Sequence, residues 1–111
     1  MGKRLSPLRA LREGLDRLSD VARAIKSIEP RCEVYLAGGA AENRLTIASD
    51  IDILVVLPSE PSFDEAVKLE ERIWSELERI GVPSYIPIEI HVISKESLGR
   101  YSRRGKIIRL A

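Results

Sequence analysis

Residues 36–57 read LAGGAAENRLTIASDIDILVVL, and the way this stretch is parsed decides the fold. It leaves one apolar segment at Gly38-Gly39 and re-enters another at Ile51–Leu57, whose apolar run is rich in β-branched residues and stops at Pro58. A run of that length and composition predicts a buried strand. Asp50 and Asp52 stand at its threshold, where an ionised carboxylate is costly unless it meets a cation or water. In a strand, residues two apart point to one face, so the two aspartates are expected to project together, roughly 7 Å apart at Cα.

Outward from this stretch the pattern alternates. Upstream, Glu33–Ala37 is short, apolar and β-prone. Before it, Ser6-Pro7 supplies a cap and a proline at the first helical position. Leu8, Leu11, Leu15, Leu18, Ala22 and Ile25 then recur at helical spacing, which predicts one amphipathic helix reaching about Ile28. Downstream, Ser62 and Glu65 form a capping box. Phe63, Ala66, Val67, Ile73, Trp74, Leu77 and Ile80 make a second helical stripe, with Trp74 expected in the core and Gly81 at the C-terminal cap. VPSYIP at 82–87 is a loop, IEIHVI at 88–93 a third strand, and SKESLGRYSRRGK at 94–106 a short helix and turn. The order predicts a single α/β domain over 1–111, a small sheet of three main strands flanked by helices.

Composition narrows the classes. The chain has 111 residues, net charge +1 and one cysteine, Cys32. The length suits one core. The near-neutral charge argues against a nucleic-acid footprint, and a lone cysteine excludes an internal disulfide. No apolar run is long enough to span a membrane and the basic N-terminus lacks a signal-peptide core, so a cytoplasmic protein is expected. Arginine outnumbers lysine, glutamine is absent and Asn43 is the only asparagine. That bias is typical of heat-adapted proteins.

Chemistry is concentrated at the ends of the strands. Alternation on the third strand puts Glu89, His91 and Ile93 on one face, so Glu89 can join Asp50 and Asp52 as a third acid. Carboxylate oxygens suit a hard cation, Mg²⁺ or Mn²⁺. Gly38 and Gly39, lacking Cβ atoms, let backbone N–H groups approach phosphates closely. Acids and glycine turn together point to metal-assisted phosphoryl transfer. His91 reads as a hydrogen-bonded bystander, Arg44 as a solvated turn residue, the RYSRRGK segment as a solvated tail, and Cys32 as having no role.

Gly38-Gly39, ten intervening residues and Asp50-Ile51-Asp52 resemble the signature of the DNA polymerase β-like nucleotidyltransferases, most of all their minimal, antitoxin-type members. Gly39 stands where serine is commoner, Asn43 where glycine is frequent, and Ser49 precedes the first aspartate as in the common form. The resemblance implies a small mixed sheet flanked by helices. It implies Asp50 and Asp52 as ligands of the metals that carry a nucleoside triphosphate, ATP by the family's preference, with Glu89 as the third acid. It further implies transfer of AMP to a hydroxyl of a helical HEPN-type partner in a toxin–antitoxin pair, with self-association as another route to an acceptor surface. A non-catalytic antitoxin subunit that neutralises by contact is the alternative.

Overall fold

The computed structural model describes residues 6–42 and 50–111. Its elements run α1 (Pro7–Asp16), α2 (Leu18–Ile28), β1 (Glu33–Ala37), α3 (Gly38–Ala41), β2 (Ile51–Leu57), α4 (Phe63–Arg79), β3 (Ile88–Ser94), α5 (Lys95–Arg104) and β4 (Ile108–Arg109). The strands form one mixed sheet in the order β3-β2-β1-β4. β1 runs antiparallel to β2 and β4. β2 and β3 are parallel, joined through α4, since a parallel pair needs a crossover connection.

β2 is the centre of the molecule. Ile53, Leu54 and Val55 are all fully buried, because β2 is covered on both faces. That double coverage explains its continuous apolar sequence. On one face, Val34, Leu36, Ile53, Val55 and Ile90 pack with Leu11 of α1, Val21 and Ile25 of α2, and Leu69, Ile73 and Leu77 of α4. On the other, Ala37, Leu54 and Val56 form a smaller cluster with Tyr35, Ile93, Leu98, Tyr101 and Ile107. α5 closes only part of this second face, against β2 and β3.

Three expectations change. The N-terminal helix is two helices, broken at Arg17, whose N–H bonds back to the Gly14 and Leu15 carbonyls. The Arg17 guanidinium donates to the Ile80 and Gly81 carbonyls at 3.3 and 3.4 Å. A cation at the C-terminal end of α4 is favourable there, and the contact ties the break to that helix. Leu8, on the expected stripe, is exposed.

Second, Trp74 is 39% exposed, not core, and Phe63 and Val67 are exposed with it. α4 covers a narrow sheet through one seam of Leu69, Ile73 and Leu77, four residues apart, so stripe residues to its side stay in water. Third, the sheet has a fourth strand, β4, too short to give a periodic signal. It is held to β1 by backbone bonds, Leu110 N–H to the Val34 carbonyl at 2.7 Å among them. The caps behave as read: Ser6 accepts from the Arg9 N–H, and Ser62 and Glu65 complete a capping box.

Candidate active site

The corner of the smaller face at Asp52 is built by register. Ala37, the last residue of β1, pairs with Asp52, and Asp52 in turn stands beside Glu89 of β3. β1 then turns at Gly38, whose φ of +71° is in the left-handed region. A Cβ at Gly38 would collide with the Asp52 carboxylate, so glycine is required twice, for conformation and for space. The glycine turn and the aspartate predicted to work together are therefore in contact.

His91, two residues along β3 from Glu89, points into the same corner. Its Nε2 lies 3.1 Å from Asp52 Oδ1 and 3.7 Å from Glu89 Oε1. Asp52, Glu89 and His91 each offer a donor atom within 4.8 Å of the other two. Their side chains remain 27–55% accessible, which leaves a ligand a route to them. An ion with oxygen or nitrogen ligands at about 2.0–2.2 Å holds neighbouring donors about 3 Å apart. The corner fits one divalent cation with small side-chain rotations.

Asp50 sits differently. It is exposed, immediately before β2, and its carboxylate is not among the clustered donors. The N–H of Ile51 donates to the Pro87 carbonyl at 2.8 Å, which fixes the strand entry beside it. Gly39 lies in the short helix α3. Asn43, Arg44 and Ser49 lie outside the described residues.

A cleft of about 360 Å³ opens onto this corner. Gly38, Asp52, His91, Tyr101, Arg104 and Lys106 line it. The His91 and Tyr101 rings are 6.2 Å apart. Gly105 backs against Glu42, whose carboxylate leaves no comfortable room for a Cβ, with Oε1 at 2.9 Å from where that atom would be. A larger hollow of about 540 Å³ runs along α4 beside Lys68, Arg72 and Arg79, but its walls are helix-surface side chains and no cluster of potential metal donors converges there.

In sequence His91 could face the site from two residues beyond Glu89 but read more simply as a hydrogen-bonded bystander, and Arg104 and Lys106 read as a solvated tail; the structure puts His91 Nε2 against Asp52 and brings Arg104 and Lys106 to the cleft. The signal for His91 was present, since it shares a strand face with Glu89. Nothing local marked Arg104 and Lys106; they reach the cleft because α5 lies on β2 and β3 before β4 returns to β1. Cys32 is buried, and burial pushes its thiol up to about 11, away from reactive thiolate chemistry.

Residues 18–108 match the family model of the nucleotidyltransferase domain. A crystal structure of a Sulfolobus solfataricus protein provisionally named a nucleotidyltransferase superposes with a TM-score of 0.66 at 20% identity, covering 98% of this chain and 89% of that one. A second structure, of a protein given the same provisional name, superposes with a TM-score of 0.59 at 22% identity, covering 86% of this chain and 98% of that one. No curated protein matches the chain. The matched folds agree with the polymerase β-like architecture that the glycine and aspartate motif implies.

Proposed function

The chain belongs to the nucleotidyltransferase domain family, a transferase by that membership, and we propose that its cleft transfers AMP from ATP to a hydroxyl on a partner protein. The observation that carries this reading is the contact of Asp52 with the Gly38 turn beside Glu89, at a cleft that Arg104 and Lys106 also line. An acid for a cation and bases for phosphates then line one space of about 360 Å³. A triphosphate with its divalent ion, Mg²⁺ or Mn²⁺, carries both signs and suits such walls.

In this reading Asp52 and Glu89 hold the cation, and Asp50, at the entry of β2, completes the ligand set on the phosphate side. When bound, the ion neutralises charge on the phosphates and lowers the pKa of the attacking hydroxyl. Gly38 and Gly39 offer backbone N–H groups to the phosphates, where a serine hydroxyl is the commoner partner. Arg104 and Lys106 balance the charge of the departing pyrophosphate. The acceptor oxygen bonds to the α-phosphorus as the bond from that phosphorus to the α–β bridging oxygen breaks. Glu89, the more exposed of the two clustered acids, takes the proton from the acceptor.

The whole of 1–111 acts as one domain here, with the acceptor hydroxyl, a tyrosine of a helical HEPN-type protein, supplied in trans or by a second copy. The chain would then be the antitoxin of a cytoplasmic pair. Among the described residues no helix is long and apolar enough to cross a membrane. The test is incubation with α-labelled ATP, divalent cation and the product of the neighbouring gene. Label is expected on the partner with wild type and not with Asp52→Ala. Neutralisation of the partner by Asp52→Ala, without labelling, would overturn transfer in favour of contact alone.

A further inference from the structure

We infer that His91 is itself a ligand of the cation, and that this nitrogen makes the site select a first-row transition ion such as Mn²⁺ or Co²⁺ over Mg²⁺. The inference rests on the cation-dependent reading above and goes beyond it, since the three acids alone would make an all-oxygen site. His91 Nε2 is 3.1 Å from Asp52 Oδ1, whereas the Asp50 carboxylate lies outside the cluster. The described donor set is therefore two carboxylates and one imidazole, from Asp52, Glu89 and His91.

The register fixes the backbone positions of this arrangement. Asp52 and Glu89 are direct neighbours across the parallel β2–β3 ladder, and His91 follows Glu89 on the same face. The imidazole stands on the partly covered sheet, with Tyr101 6.2 Å away on its other side. A histidine so placed approaches any ion held jointly by Asp52 and Glu89. Mg²⁺ prefers oxygen and keeps several waters, so a fixed imidazole gains it little. Mn²⁺ and Co²⁺ accept imidazole readily, and affinity for a site with nitrogen rises along the first-row series from Mn²⁺.

The test uses the full chain with ATP and Mn²⁺, read by pulsed electron paramagnetic resonance and by calorimetry. Wild type should show coupling of the bound Mn²⁺ to a ¹⁴N nucleus, which His91→Asp should abolish while still binding the ion through oxygen. The preference for Mn²⁺ over Mg²⁺ should fall at least about tenfold in His91→Asp, in line with what a metal site loses when its ligand sphere is disturbed. Bound Mn²⁺ without protein nitrogen coupling in the wild type overturns the inference and leaves the cation-dependent reading standing. An unchanged preference in a folded His91→Asp does the same. Failure of wild type to retain any divalent ion in the presence of ATP overturns both.

Discussion

One face of the sheet is covered by three helices, while among the described residues the other is packed by α5 alone and carries the partly exposed corner where β1 turns and β2 begins. Ile51, Ile53, Val55, Ile88 and Ile90 all project toward the closed face, and its stability comes from apolar area removed from water. The same two strands project Asp52, Glu89 and His91 from the other side, and these remain partly exposed. The difference teaches how one strand can be both core and site. Alternation sends successive side chains into opposite environments, so β2 anchors Asp52 between Ile51 and Ile53, both fully buried. The charged groups keep contact with water, while the backbone that carries them is fixed by the core behind it.

That division is open to a paired substitution on adjacent residues. Asp52→Asn should lower nucleotidyl transfer by about 10³-fold, the scale on which loss of a single transition-state contact is felt, and should leave the urea midpoint almost unmoved. Ile53→Ala, one residue along and facing the other way, should cost about 2–5 kcal/mol of folding free energy while the folded fraction keeps its metal-dependent nucleotide binding. If both substitutions weaken stability and binding alike, the two faces are not independent.

Gly38→Ala lies at the seam between the faces. The positive φ and the Asp52 carboxylate both oppose a Cβ there. The substitution should cost about 1–3 kcal/mol and weaken cation binding by displacing Asp52, measured by urea titration and calorimetry. Stability lost with cation affinity intact would mean that the Asp52 position does not depend on the turn.

The smallest effect belongs to the closed face. Cys32 is buried, and burial lifts its thiol from 9.0 to about 11. The folded state therefore holds this proton more tightly than the unfolded chain does. The associated stability is complete below pH 9 and is lost as pH rises through about 11. By pH 10 the loss is about 1 kcal/mol. Cys32→Ala should remove that part of the alkaline slope in urea titrations, and an unchanged slope would contradict it.

Much of this division was legible in the chain. The apolar run Ile53–Leu57 of β2, the capping box at Ser62 and the approach of the glycine turn to Asp52 each have a local physical cause, and each appears where the residues put it. What was hidden depends on distance in sequence. Trp74 lies on the right stripe, yet whether a stripe residue is buried depends on how wide a sheet the helix covers. The residue at the break, Arg17, meets the Ile80 and Gly81 carbonyls, more than sixty residues away. His91 was readable as a neighbour of Glu89 but not as a neighbour of Asp52, because that contact needs the parallel register of β2 and β3. Arg104 and Lys106 enter the cleft only through the packing of α5.

The central claim is that the corner formed by Asp52, Glu89 and His91 binds a nucleoside triphosphate through a divalent cation. Calorimetric titration of the full chain with ATP, in divalent cation and again in excess chelator, tests it most directly. Binding is expected with the cation, weakened at least about tenfold by Asp52→Asn, and lost in chelator. Equal affinity in cation and in chelator would contradict the claim.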